Sequence, residues 1–311
     1  MRIKKYAIQK IKQLKYNSTS KNNCFLNPKL PLPEGLSESE LFNFLETVLV
    51  SDAPATEMAN YCRQDFRRFV YTYGLVQDMA GNCLELGANP YFTTILLKKF
   101  TNLKLTLANY FGLENTDKLV QEVRYKDFES DQHLLVKLES NHFNIEEDVF
   151  PFEDRCFDII LFCEIIEHLL IDPVKVLKEI KRILKPNGAL ILTTPNVSRL
   201  ENVAKMIAGV NIYDPYSGYG PYGRHNREYN KHELYLLLKY LGFKIDTMFT
   251  ADVHENNANN YSSVAKLESL LKHREPDLGQ YIFVRALNAE KAGDKRPAFL
   301  YRSYPPNELE S

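Results

Sequence analysis

Hydrophobic and polar positions change rhythm along this chain. From residue 82 onward, short apolar runs at 82–86, 103–108, 134–138, 157–162, 189–193, 243–250 and 280–286 alternate with segments of helical period. Runs of that length, bounded by turn residues, read as strands, and the longer periodic segments between them as helices. In 173–184, Leu177, Ile180, Ile183 and Leu184 share one face, which packs a helix onto a sheet. Residues 231–241 read as a helix closed by Gly242. Strand and helix in alternation predict a doubly wound α/β sheet of seven strands over 81–287.

The flanks follow other patterns. Ser37-Glu-Ser-Glu opens a helix with acids in its first turn, and a second helix is expected over roughly 57–77, so 37–80 reads as a helical N-terminal extension. Residues 1–16 carry six basic residues and no acid, with Ile3, Ala7, Ile11 and Leu14 at helical spacing. Such a helix either rests on an anionic membrane surface or docks as a solvated terminal helix. Residues 17–36, rich in Asn, Ser and Pro, complete this N-terminal segment as a linker. The stretch 197–230 is too long and too rich in Gly and Tyr for a simple connection and reads as an insertion or lid. The tail, 288–311, is polar and is expected to be irregular.

Composition narrows the class. With 311 residues and 44% hydrophobic content, the chain can bury one large core with appendages. A net charge of −1 argues against a nucleic-acid-gripping body. No apolar run is long enough to span a bilayer and no signal peptide is visible. The five scattered cysteines lack a CxxC pair and read as reduced thiols. A cytoplasmic protein, peripheral to the inner membrane face if residues 1–16 act as a surface contact, is the expectation.

The chemistry concentrates where strands end, the place where open α/β sheets bind ligands. In LELGANPY, Gly87 permits a tight turn and close backbone approach, and Glu85 could accept from a ligand hydroxyl or amine. The GxGxxG of dinucleotide folds is missing, which argues against a nicotinamide enzyme. Glu164 ends another strand, with Glu167 and His168 three residues later. In the insertion, Tyr213, Tyr216, Tyr219 and Tyr222 recur at every third position among Gly218, Gly220 and Gly223. They offer stacking area with a polar tip, or else fold into a small core of their own. Arg224 and Arg227 flank His225 and either hold an anionic group of a substrate or pair with a neighbouring acid such as Glu228.

Glu85-Leu-Gly87-Ala88-Asn89-Pro90, followed by PFEDRCFDIILFCEIIEHL and LKEIKRILKPNGALILTTPN, resembles the class I S-adenosylmethionine-dependent methyltransferases over about 71–286. The resemblance implies a Rossmann-like fold. It also implies that Glu85, Gly87, Ala88 and Asn89 wrap the methionine part of the cofactor and that Asn144 and Ile145 meet the adenine. Cys163 and Glu164 would flank the sulfonium. Where the family usually has an acid for the ribose hydroxyls, this chain has Asn109, an amide without the charge-assisted strength of a carboxylate. The ExxEH pattern with a distant H-x-x-E-aromatic looks like metal-dependent small-RNA terminal 2′-O-methyltransferases and ubiquinone-pathway O-methyltransferases. That resemblance implies a divalent cation, Mg²⁺ or Mn²⁺, held by Glu164, Glu167, His168 and His225. Without a metal, His168 or His225 would act as general base, or the group would be structural. TPNVSRLENV with YDPYSGYGPYGRHNREY is similar to methyltransferases of polysaccharide and glycan biosynthesis, implying a sugar hydroxyl as acceptor. RNA 2′-O-methylation and a non-catalytic cofactor-binding subunit are the alternatives.

Overall fold

The computed structural model describes residues 27–113, 115–130, 132–263, 266 and 270–310. The basic segment 1–16 lies outside them.

Two helices, α1 (Glu38–Leu45) and α2 (Ala55–Gly74), precede the seven-stranded body of the sheet. Ser37 and Glu40 close a reciprocal capping box at the start of α1, as the Ser-Glu-Ser-Glu pattern requires. The strands are β1 (Leu49–Val50), β2 (Ala80–Leu86), β3 (Asn102–Asn109), β4 (Lys118–Lys126), β5 (His133–His142), β6 (Phe157–Cys163), β7 (Leu184–Pro195), β8 (Phe243–Ala251) and β9 (Tyr281–Asn288). They form one sheet in the order β1-β4-β5-β3-β2-β6-β7-β9-β8. The helices α3 (Phe92–Phe100), α4 (Pro173–Ile183), α5 (Leu200–Ile207) and α6 (Lys231–Tyr240) connect them.

The seven expected strands form the doubly wound body. β5, β3, β2, β6 and β7 run parallel, and β9 and β8 close that edge antiparallel. In β6, Ile159 and Leu161 face the layer of α1, α2 and α3, while Ile160 and Phe162 face the layer of α4 and α6. Burial on both faces is why this strand reads as an unbroken apolar run.

Two further strands extend the other edge. β4 pairs antiparallel with β5, and β1 with β4. The sequence pattern does not reveal β4 because KLVQEVRYK buries only Val123. The charged positions suit a strand next to the sheet's edge with a solvated face but leave little periodic signal. Within the insertion 197–230, residues 200–207 form α5.

The tail is tied down by Asp172. This residue caps α4 by accepting from the amides of Val174 (3.0 Å) and Lys175 (3.2 Å). It also pairs with Arg296 at 3.1 Å and accepts from the Tyr301 hydroxyl. Asp172→Ala is expected to cost about 1–2 kcal/mol, as loss of a helix cap does. A lower urea midpoint with unchanged m-value would show it; an unchanged midpoint would not fit.

Candidate active site

A cavity of about 200 Å³ opens at the carboxyl ends of β2, β3 and β6. Gly87, Asn109, Asn144, Ile145 and Glu164 line it, together with Tyr110, Phe143, Leu169 and Tyr222. Gly87 has φ +66°, the left-handed conformation that lets the chain leave β2 in a tight turn. An added Cβ would lie 3.0 Å from the Ile165 side chain.

Four expected cofactor residues do not line the cavity. Glu85 lies beneath the cavity, where its carboxylate accepts from Thr94 Oγ1 at 2.6 Å, and burial pushes its pKa up to about 7. Asn89 donates its amide to Asn109 Oδ1 (2.8 Å) and its side chain to Gln121 (3.3 Å). Ala88 is buried, and its amide reaches the Ala108 carbonyl at 3.3 Å. Cys163 is held as a thiol, its pKa raised to about 12 by burial.

Asn109 lines the cavity but is largely engaged elsewhere. Besides accepting from Asn89, it donates to Tyr91 Oη at 3.0 Å, and Tyr91 donates to Gln121 Oε1 at 2.7 Å. Gln121 in turn donates to Asp52 at 2.9 Å. The strand β4 thus braces the loop after β2 through a residue the sequence pattern did not single out.

Next to the cavity lies a denser set of charges. Glu164 adopts φ 55° directly after β6. Its amide donates to the Thr193 carbonyl at 2.9 Å, and Thr193 Oγ1 donates to its Oε1 at 2.8 Å. One residue along β7, where side chains alternate faces, Thr194 Oγ1 donates to Glu167 Oε2 at 2.9 Å. Glu167 is fully buried, and its Oε1 has no hydrogen-bond partner. That oxygen lies 3.9 Å from His168 Nε2.

Both histidines engage an acceptor through Nδ1. His168 Nδ1 lies 2.9 Å from the Arg224 carbonyl, which can only accept, so the proton sits on Nδ1. His225 Nδ1 lies 2.9 Å from Glu228 Oε1, with the same consequence. In the neutral rings, each Nε2 therefore presents a lone pair. Ligand atoms of Glu167, His168 and His225 fall within 4.8 Å of one another. Glu164 stands outside that group, its carboxylate held by Thr193. Three members of the expected tetrad thus meet and the fourth flanks them.

The electrostatics follow from burial. Burial raises the Glu164 pKa to about 8, against the opposing Arg68 charge, and the Glu167 pKa to about 7, against that of His225. Burial and the neighbouring His225 lower His168. Burial also depresses His225, but its bond to Glu228 and the charges of Glu167, Glu228 and Asp214 outweigh this and raise it. Glu228 is further anchored by Arg199 at 2.5 Å.

Arg68 was not anticipated. It is 5% exposed on α2, pairs with Asp65 at 2.9 Å and donates to Tyr61 Oη at 2.7 Å. Tyr61, Asp65, Arg68 and Thr72 form a polar stripe at helical spacing beside the apolar stripe of α2. That stripe is the signal in the sequence that could have found it.

The insertion divides its tyrosines. Tyr213, Tyr216 and Tyr219 are 84%, 92% and 88% exposed, whereas Tyr222 lines the cavity. Arg224 packs over the Tyr216 ring at 4.9 Å. Arg227 pairs with Glu233 and lies over the Tyr229 ring at 5.6 Å, so its charge is spent within the chain.

Among the described residues, no helix is long and apolar enough to cross a membrane. A methyltransferase domain family matches residues 84–192. An uncharacterized protein of Methanocaldococcus jannaschii is 32% identical over 111 residues, covering 34% of this chain and 48% of that protein. This chain thus spans about half the length of that curated relative. A solved S-adenosylmethionine-dependent methyltransferase of Archaeoglobus fulgidus is 17% identical, covering 71% of this chain and 90% of that one, at a TM-score of 0.40. Another, of Thermotoga maritima, is 14% identical, covering 80% and 99%, at a TM-score of 0.44. Residues 84–192 accordingly match a methyltransferase domain family, and they lie within a doubly wound, Rossmann-like sheet.

Proposed function

We propose that this protein transfers a methyl group from S-adenosylmethionine to a hydroxyl, assisted by a divalent cation, with a sugar of a glycan or glycan precursor as acceptor. One observation carries the metal part: the buried, unpartnered Oε1 of Glu167, 3.9 Å from His168 Nε2 and clustered with a ligand atom of His225. A buried carboxylate oxygen left unpaired is costly, and a cation is the partner this donor set fits. A Mg²⁺ or Mn²⁺ ion there would supply Lewis-acid polarisation of the acceptor hydroxyl.

The chain's own residues do the rest. The cavity holds the cofactor, with Gly87 allowing the close backbone approach and Phe143, Ile145 and Leu169 offering an apolar seat for the adenine. Glu164 borders both the cavity and the triad. S-adenosylmethionine bound there would supply the methyl group, and the proton of the acceptor hydroxyl would leave to a basic group beside it. In the absence of a cation, His168 or His225 Nε2 is that base.

Support for a sugar comes from the exposed rings of Tyr213, Tyr216 and Tyr219, which offer flat faces in the same loop as His225. The net charge of −1 favours this over an RNA acceptor. Membrane-surface contact through residues 1–16 belongs to the same proposal and would place the enzyme at the cytoplasmic face of a membrane.

Transfer of labelled methyl from S-adenosylmethionine to a panel of glycans and to RNA, with Mn²⁺ or chelator, tests this reading. Label on glycans that vanishes with chelator supports it; label on RNA alone would move the acceptor. Gly87→Ala is expected to weaken the cofactor about tenfold, equivalent to about 1.4 kcal/mol, because a side chain at φ +66° is strained and meets Ile165. Unchanged affinity by calorimetric titration would remove Gly87 from the cofactor site.

A further inference from the structure

One short strap of the insertion takes part in both halves of the site. Tyr222 lines the cofactor cavity beside Gly87, Asn109 and Asn144. Its ring stands edge-on to Tyr110 at 6.2 Å and 85°. Three residues later His225 joins the triad. Between them, the Arg224 carbonyl accepts from His168 Nδ1 at 2.9 Å.

The strap is fastened to the turn that carries the other two triad residues. The amides of Asn226 and Arg227 donate to the Glu167 carbonyl at 2.8 and 3.1 Å. The Asn226 side chain donates to the carbonyls of His168 and Pro221, each at 2.9 Å. His168 itself both lines the cavity and belongs to the triad. Tyr222 is 37% exposed, unlike the three outer tyrosines of its loop.

We propose that Tyr222 is a cofactor-binding residue and that, through residues 222–228, a divalent cation in the triad and the cofactor bind with positive coupling. This rests on the methyltransferase reading above. The strap supplies one cation ligand and one wall of the cofactor cavity. Ordering it for one ligand therefore removes that cost for the other. Linkage then requires the effect to be reciprocal.

Calorimetric titration of S-adenosylhomocysteine into the full, chelator-treated chain, with and without saturating Mn²⁺, tests the proposal. Mn²⁺ is expected to tighten S-adenosylhomocysteine about fivefold or more, and S-adenosylhomocysteine to tighten Mn²⁺ by the same factor. Tyr222→Ala should weaken S-adenosylhomocysteine severalfold and bring the coupling factor to near one while Mn²⁺ still binds. Tyr222→Phe, which keeps the ring, should retain most of both effects and separates loss of the wall from misfolding. Independent binding of the two ligands to the wild-type chain overturns the proposal. So does a Tyr222→Ala chain with unchanged affinity and coupling, or a wild-type chain that binds S-adenosylhomocysteine but no Mn²⁺. If S-adenosylhomocysteine binds under neither condition, the methyltransferase reading itself fails.

Discussion

Glu167→Gln is expected to lower methyl transfer by about 10³-fold, the scale of losing a group that handles charge at the reacting centre. Binding of S-adenosylhomocysteine in chelated buffer should change little, because Glu167 does not line the cavity proposed for the cofactor. Affinity for Mn²⁺ should fall with the activity. The metal-free variant should at the same time be more stable than wild type at pH 8, by about 1 kcal/mol, because a buried oxygen without a partner no longer carries charge. A site residue held at a cost to stability shows that opposition of activity and stability. A purely structural Glu167 predicts the reverse, a less stable chain with near-normal turnover. His225→Ala should match the loss of turnover; full activity in that variant would remove His225 from the site.

Stability of the metal-free protein should fall as pH rises from about 5 to about 8. The sign follows from the buried carboxyls. Burial raises Glu85 and Glu167 to about 7 and Glu164 to about 8, all from an ordinary value of 4.5. Between those limits the folded chain keeps protons that the unfolded chain has released, so the free energy of unfolding declines with pH. Each such carboxyl contributes a slope of at most about 1.4 kcal/mol per pH unit, with Glu164 and Glu167 titrating as a pair. His168, lowered by burial and by His225, opposes the trend below its ordinary value of 6.5. His225, raised on balance, adds to it above that value. Saturating Mn²⁺ should flatten the profile by holding the triad's carboxylate ionised, and Glu167→Gln should remove its share without metal. Thermal melts across this range decide the matter: a flat metal-free profile would mean that these carboxyls are not protonated in the fold.

Much of the site was legible because its first part is local. A strand that is apolar on both faces, β6, must end where its backbone leaves the sheet, and Glu164, Glu167 and His168 follow that end within five residues. Gly87 was legible for the same reason, as the turn residue after β2. The split of the tyrosines was not, because a period of three says nothing about which ring turns inward. Nor was the commitment of Asn109 to Asn89 and Tyr91, partners about twenty residues away. The strand β4 escaped because a strand next to the sheet's edge with one buried residue carries no apolar alternation to read.

The chain's own pattern determined the order of strands and helices, the turn after β2 and the acid-rich end of β6, since periodicity and turn chemistry act over neighbouring residues. Tertiary structure alone decided which distant groups complete the site. Thr193 holds Glu164 aside, Thr194 seats Glu167, His225 arrives from the insertion, and the charge of Arg68 acts on Glu164 from α2. Those groups lie 27 to 96 positions apart in the chain, and a sequence holds no local trace of such a meeting. The pairing of β6 with β7 and the docking of the strap bring them together.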